Sequence, residues 1–209
     1  KKELKKILNR KTAKRLLLIN WSCFQNETIE LGSSTLFTGV NGTGKTTILD
    51  AMLYLLTANR QFNKAADDKD RNVTAYIHGD RKTNGVDRYL RKDAVTSYIA
   101  MEFFDPGKKK YFVVAVCMES KNPQDAAESK WCIFDGCHLD DINFYDKDAL
   151  KQKRFITTAR NNLSAKGIPV KAGDFLGRDK AVEQVKRVLG IRGDSKKFRE
   201  KLLKMTAFD

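Results

Sequence analysis

An α/β fold with a phosphate-binding turn between a strand and a helix is predicted for this 209-residue chain by three observations. Gly39-Val40-Asn41-Gly42-Thr43-Gly44-Lys45-Thr46 stands between an apolar β-type segment and a helix with an apolar stripe. Two long β-type runs, Thr96–Phe104 and Tyr111–Glu119, are joined by Asp105-Pro106-Gly107-Lys108-Lys109-Lys110, a turn that makes them an antiparallel hairpin. Helical periodicity then returns at 147–164, 178–189 and 195–205, so the C-terminal third is expected to be helical.

The elements follow in order. Residues 2–11 put Leu4, Ile7 and Leu8 on one face among lysines, which predicts a short amphipathic helix within a basic N-terminal segment, residues 1–14. Arg15–Ile19 (RLLLI) reads as a buried strand, Glu27–Leu31 alternates as a second, and Thr35–Thr38 is a third that ends at Gly39. Thr46–Thr57 carries the helical stripe Ile48, Leu49, Met52, Leu53 and Leu56. Residues 59–92 are polar around one apolar patch, Val73–Ile77, and read as an extended excursion over the surface. Lys130–Phe134 is a further strand. With no internal repeat and no linker, residues 15–209 read as one unit.

Composition excludes several classes. An apolar share of 41% supports a real core, and 3 prolines with 13 glycines exclude collagen-like or low-complexity chains. The longest apolar run, Tyr111–Met118, has eight residues, whereas a membrane span needs about 20. A soluble, cytoplasmic protein with no membrane partner is expected. The net charge of +14 is concentrated at two places: residues 1–15 carry +7 and residues 147–204 carry +11. Such clustering suits a polyanion such as nucleic acid, an acidic protein, or a solvated basic surface. Cys23, Cys117, Cys132 and Cys137 are irregularly spaced, as in a reducing compartment. Cys132, Cys137 and His138 lack a fourth ligand at metal spacing, so no zinc site is predicted. The chain begins without Met and stops abruptly at Thr206-Ala207-Phe208-Asp209, as expected of a piece of a longer polypeptide.

The motif satisfies GxxxxGK[ST] in full. Glycines at 39, 42 and 44 let backbone N–H groups converge on phosphate oxygens, and the following helix adds its positive end. Gly39, Asn41, Gly42, Thr43, Gly44, Lys45, Thr46 and Thr47 are therefore the nucleotide-binding candidates. Lys45 would reach the β- and γ-phosphates, Thr46 would ligate Mg2+, and Thr47 would donate to the α-phosphate, which makes Lys45 and Thr46 the catalytic candidates. ATP is favoured over GTP. Asn63-Lys64-Ala65-Ala66-Asp67 is one residue too long for a guanine-reading motif, and Asp174-Phe175-Leu176-Gly177 imitates a switch with no base reader after it. Hydrolysis also needs an acid after a buried strand. Asp105, Glu119 and Asp135 are the candidates, each with a competing structural role in or beside the hairpin, so binding without turnover is predicted for this chain by itself.

Residues 15–57 resemble the start of an SMC-type ATPase head, where a strand and a hairpin precede G-x-N-G-[ST]-G-K-[ST] and the next helix reads I-L-D-A. Asn41 and Ile48-Leu49-Asp50-Ala51 carry that likeness. Asn59–Ala66, Tyr76-Ile77-His78-Gly79 and Tyr98-Ile99-Ala100-Met101-Glu102-Phe103 look most like the MukB-like branch that includes JetC and MksF, motor subunits of the Wadjet plasmid-defence condensin. The likeness is strong over 15–105 and diffuse beyond about residue 140.

The resemblance implies an ABC/SMC-type P-loop N-terminal head lobe over residues 15–209, with 178–209 leading toward a coiled-coil neck. A C-terminal lobe would bring the signature and Walker B motifs, which have no counterpart here, and the family's Q-loop glutamine has none after Gln184. It further implies Mg2+ and ATP as cofactors, and a homodimer of heads closing over two ATP molecules. Kleisin and winged-helix subunits, and double-stranded DNA that is translocated or extruded as loops, would be the partners, at the nucleoid. Arg71, by analogy with an arginine after the Walker helix, and Lys108, Lys109 and Lys110 at the hairpin tip are candidate ATP or DNA contacts, beside a plain surface role for each. The alternatives are a DNA break-repair or recombination ATPase of the same fold, a chromosome-condensing motor, a membrane-transporter ATPase, which would place its signature motif in the same chain, and a nucleotide-sensing scaffold without turnover.

Overall fold

The computed structural model of the chain describes residues 10–39, 44–60, 62, 72–83, 86–146, 151–152, 167–168, 170–171, 174–198 and 200. Its frame is a five-stranded antiparallel sheet. Strands β1 (Thr12–Trp21), β2 (Phe24–Glu30), β5 (Val95–Asp105), β6 (Lys110–Ser120) and β7 (Glu128–Asp135) lie in the order β2-β1-β5-β6-β7. The predicted hairpin forms in register from Val95↔Ser120 to Asp105↔Lys110. Asp105 builds its turn, its Oδ1 accepting from the backbone N–H groups of Gly107 and Lys108 at 2.9 and 3.2 Å. β1 starts at Thr12, three residues ahead of the expected Arg15, and pairs with β2 on one side and β5 on the other.

Three expectations need correction. Thr35–Thr38 joins no ladder among the described residues, and its Leu36 is 84% exposed. An apolar run predicts extended backbone but not where its pairing partner lies. The excursion at 59–92 is structured over much of its length. Val73, Tyr76 and Ile77 recur at helical spacing and form helix α2 (Val73–His78), opened by Asn72 Oδ1 accepting from Ala75 N–H at 2.9 Å. After it, β3 (Asp80–Thr83) and β4 (Val86–Tyr89) pair as a small hairpin. Within the expected helix 147–164, Lys151–Gln152 (β9) pairs instead with Tyr145–Asp146 (β8), and residues 147–150 and 153–164 lie outside the described set.

Two further helices among the described residues agree with the periodicity: α1 (Lys45–Thr57) and α3 (Arg178–Leu189). Residues 195–198 are helical as expected, whereas residues 1–9 and 201–209 are outside the described set. No described helix is long and apolar enough to cross a membrane.

Alternation along the strands gives the sheet two apolar faces. Leu16, Leu18, Ile99, Met101, Val114, Val116 and Trp131 face α1, α2 and α3. Leu17, Ile19, Tyr98, Ala100, Val113, Ala115 and Cys132 face the other way, under Leu139, Ile142 and Phe144. Because both faces are covered, β5 and β6 read as nearly continuous apolar runs rather than as strict alternation. Burial pushes the Cys117 and Cys132 thiols well above their ordinary range.

On the second face Glu102 is 3% exposed yet fully engaged. It accepts from Arg15 Nη2 at 2.7 Å and from the Leu139 backbone N–H at 2.7 Å, with His138 Nδ1 3.3 Å away. Burial alone would raise its pKa; the bonds from Arg15 and Leu139 outweigh burial and hold it below the usual carboxylate range. Arg15 also reaches Asp140 at 2.7 Å, so this cluster pins the 3-10 turn Leu139–Asp141 to the sheet.

Candidate phosphate-binding site

Helix α1 starts inside the glycine motif. Gly44 is its N-cap, at φ 91°, and gives no side-chain cap; Lys45, Thr46 and Thr47 follow in a first turn with no acidic residue. Only glycine fits here, because the left-handed backbone strains other residues and a Cβ on Gly44 would lie 3.0 Å from Phe24 Cζ. Among the described residues no side-chain cap and no first-turn acid competes for the helix's N-terminal end, where orphan N–H groups and the dipole favour an anion. Lys45 Nζ donates to the Gly39 carbonyl, so the ammonium lies across the motif from its last part to its first. The residue chemistry therefore fits a phosphate group with its counter-cation. Asn41, Gly42, Thr43 and Arg71 lie outside the described residues.

The rest of the chain anchors α1 at both ends. Trp21 Nε1 donates to the Thr47 carbonyl at 2.9 Å, in the first turn. Trp131 Nε1 donates to Leu55 O at 3.1 Å, and Arg178 Nε donates to Ala58 O at 2.9 Å, just past the last turn. Beneath the helix is an aromatic layer: Trp21 stacks on Tyr76 at 4.4 Å and 15°, and Tyr54 meets Trp131 at 5.3 Å. Phe62 closes against Trp21, Tyr54 and Tyr76. Asp50 of the Ile48-Leu49-Asp50-Ala51 run is fully buried and accepts from the Tyr76 hydroxyl. Among the described residues the start of the helix is thus held by packing and by Trp21 rather than by a side-chain cap.

The candidate acids stand elsewhere. By register, Asp105 and Asp135 lie at the sheet end opposite Trp21 and Thr47, because Thr12 pairs with Phe104, and Phe112 with both Phe103 and Asp135. Both are engaged there, Asp105 with Lys11 at 3.5 Å and Asp135 with Lys110 at 2.6 Å. Glu119 follows Val113, Ala115 and Cys117 on the face opposite α1. It lines a cavity of about 500 Å³ with Ser120, Asp125 and Glu128, and none of the described residues of the glycine motif lines that cavity.

Lys108, Lys109 and Lys110 also sit at the far end, with Lys108 and Lys109 exposed and Lys110 paired to Asp135. The fold does not bring them to the phosphate motif. His138 lies over Tyr111 with ring centroids 4.1 Å apart. Among the described residues no group of three His, Cys, Asp or Glu side chains is placed to hold a metal ion.

Sequence reasoning missed the residues that act on the site from a distance. Trp21, Phe24 and Arg91 carry no motif; the fold brings Trp21 and Phe24 to α1, and Arg91 to the turn between β1 and β2. Trp21 had a local signal, an aromatic just after an apolar strand segment.

A family model described as the P-loop containing region of AAA domain matches residues 13–69. The match spans β1, β2 and α1, the elements that carry the glycine motif. It supports a P-loop NTPase-type lobe with capacity for nucleotide binding. A search of curated proteins finds no match.

Proposed function

We propose that this chain is the ATP-binding half of an SMC-like motor head, of the JetC/MksF kind. The observation that carries ATP binding is the start of α1: an uncapped, acid-free first turn, with Lys45 laid across the motif to Gly39. In this reading the backbone of Gly39, Asn41, Gly42, Thr43 and Gly44 binds phosphate oxygens. Lys45 exchanges its carbonyl partner for the β- and γ-phosphates, Thr46 holds Mg2+, and Thr47 binds the α-phosphate. Bound Mg-ATP supplies a phosphoanhydride whose cleavage releases the energy of the cycle.

The half-head reading is supported by Thr35–Thr38. This segment leads directly into the motif, joins no ladder among the described residues and exposes Leu36. A C-terminal lobe that pairs with it would finish the sheet and bring the signature and Walker B motifs. The acids described here, Asp105, Glu119 and Asp135, stand at the wrong end or on the wrong face of the sheet to serve α1. Two heads closing on ATP would then drive DNA translocation or loop extrusion with kleisin and winged-helix partners, in plasmid defence or chromosome condensation. The basic stretch at 147–204 offers charge for DNA phosphates.

The test is ATP turnover by this chain combined with the C-terminal lobe, with and without circular DNA, beside Lys45→Ala. Turnover that requires both lobes, rises with DNA and disappears in the variant supports the reading. Turnover indifferent to the second lobe contradicts it.

A further inference from the structure

The turn between β1 and β2 grips the first turn of α1 at two points. Trp21 donates to the Thr47 carbonyl at 2.9 Å, and the Phe24 ring abuts Gly44, leaving a Cβ there only 3.0 Å from Phe24 Cζ. The turn itself is unusual. Asn20 and Ser22 are non-glycine residues at φ 52° and 51°, in the left-handed region that side chains disfavour. Such a conformation persists only where the surroundings determine it.

Those surroundings centre on Arg91. Its Nε donates to Asn20 Oδ1 at 3.0 Å, Nη1 donates to Ser22 O and Ile77 O, both at 3.1 Å, and Nη2 donates to Phe24 O at 3.3 Å. Arg91 is in turn fixed by buried His78: its N–H donates to His78 O at 3.0 Å, and its carbonyl lies 2.7 Å from His78 Nδ1. All four acceptors of the guanidinium are uncharged. No carboxylate pairs with it among the described residues, and burial lowers its pKa from the ordinary value. A desolvated cation with neutral partners is a costly arrangement. The planar fork explains its use, because one rigid group serves oxygens from β1, the turn, β2 and α2 together, which a lysine's point charge does not do.

We propose that Arg91 is a positioning residue of the phosphate site, acting through the Asn20–Phe24 turn to hold Gly44 and the first turn of α1 in the geometry that receives nucleotide phosphate. The proposal rests on the nucleotide-binding reading above. Arg91 does not touch phosphate in it; it sets the shape of the turn that backs the glycine.

The experiment is a fluorescence titration of mant-ATP with Mg2+ against the wild-type chain, Lys45→Ala, Arg91→Lys, Arg91→Ala and Phe24→Ala, with circular dichroism to verify folding. Arg91→Lys is expected to weaken binding about tenfold, as the loss of shared directional hydrogen bonds would. Millimolar methylguanidinium is expected to restore much of the affinity of Arg91→Ala and none of that of Lys45→Ala, a rescue that loss of fold stability would not give. Phe24→Ala leaves the Arg91 bonds to the backbone in place but removes the ring, and is expected to cost about fivefold. Wild-type affinity in Arg91→Lys and Phe24→Ala, with binding lost in Lys45→Ala, overturns the proposal and leaves the nucleotide reading intact. Wild-type affinity in Lys45→Ala overturns both. Should the Arg91 variants fail to fold, Phe24→Ala decides, and an unchanged affinity there overturns the proposal.

Discussion

At the β7 edge of the sheet, Trp131 and Leu176 exchange two backbone hydrogen bonds at 2.8 and 2.9 Å, and α3 buries Ala181, Val182 and Val185 beside them. On the stretch that leaves β2 toward the glycine motif, Leu36 is 84% exposed and Thr35–Thr38 joins no ladder among the described residues. One side is finished by the chain itself. The other carries the phosphate motif, and the segment that enters it is paired with no strand among the described residues. A strand edge presents unsatisfied N–H and C=O groups that favour pairing with further backbone. The contrast teaches that the chain's own elements cover the sheet edge beside α1, while the exposed Leu36 lies where the half-head reading places a second lobe.

The largest effect expected is on the finished side. Trp131→Ala removes a fully buried indole, its contact with Tyr54 and its bond to Leu55 O, and is expected to cost about 4 kcal/mol of stability in urea unfolding. A loss under about 1 kcal/mol would show that α1 is held by other contacts.

On the open side, Lys45→Ala is expected to weaken Mg-ATP binding about a hundredfold, roughly 3 kcal/mol, while leaving the melting temperature nearly unchanged. Calorimetric titration and a thermal melt on the same sample separate the two quantities.

An intermediate effect is expected at Glu102, on the face away from α1. Glu102→Gln breaks the ion pair with Arg15 and is expected to cost about 2 kcal/mol at neutral pH, below the usual range for a buried pair because Arg15 keeps Asp140. The sign with pH follows from the lowered folded-state pKa. The stabilisation is fully present above the carboxyl's ordinary range and is lost as pH falls through the folded value. The stability gap between wild type and variant should therefore close in acid; a gap constant down to about pH 2 would show that charge is not its source.

The smallest effect sharpens the contrast most. Leu36→Lys should change the stability of this chain by no more than about 0.5 kcal/mol, since an exposed side chain has little packing to lose. In a pull-down with the C-terminal lobe the same substitution should reduce association, because it places a charge where a paired strand would be buried. Equal capture of variant and wild type would remove Thr35–Thr38 from the inter-lobe surface.

Much of this was legible in the sequence where the signal is local. The glycine motif is contiguous, α1 and α3 have clear helical stripes, and Pro106-Gly107 marks the β5–β6 turn. Other features depend on distant partners. Nothing near Arg91 announces that its guanidinium bridges Asn20, Ser22, Phe24 and Ile77, residues 14 to 71 positions away. Residues 59–92 read as an excursion over the surface because they are polar around the Val73–Ile77 patch, whereas the i, i+3, i+4 spacing of Val73, Tyr76 and Ile77 packs that patch as a helix beneath Trp21. Thr35–Thr38 failed as a strand for the opposite reason: its pattern is that of a strand, and its ladder is not supplied by the described residues.

The most direct test of a nucleotide-binding lobe that needs a second lobe for catalysis is to measure ATP binding and phosphate release on one preparation of this chain, beside Lys45→Ala. Stoichiometric binding that depends on Lys45, with phosphate release no faster than in the variant, is the expected result. Phosphate release by this chain that exceeds the variant's would place the catalytic acid within these 209 residues and contradict the half-head reading.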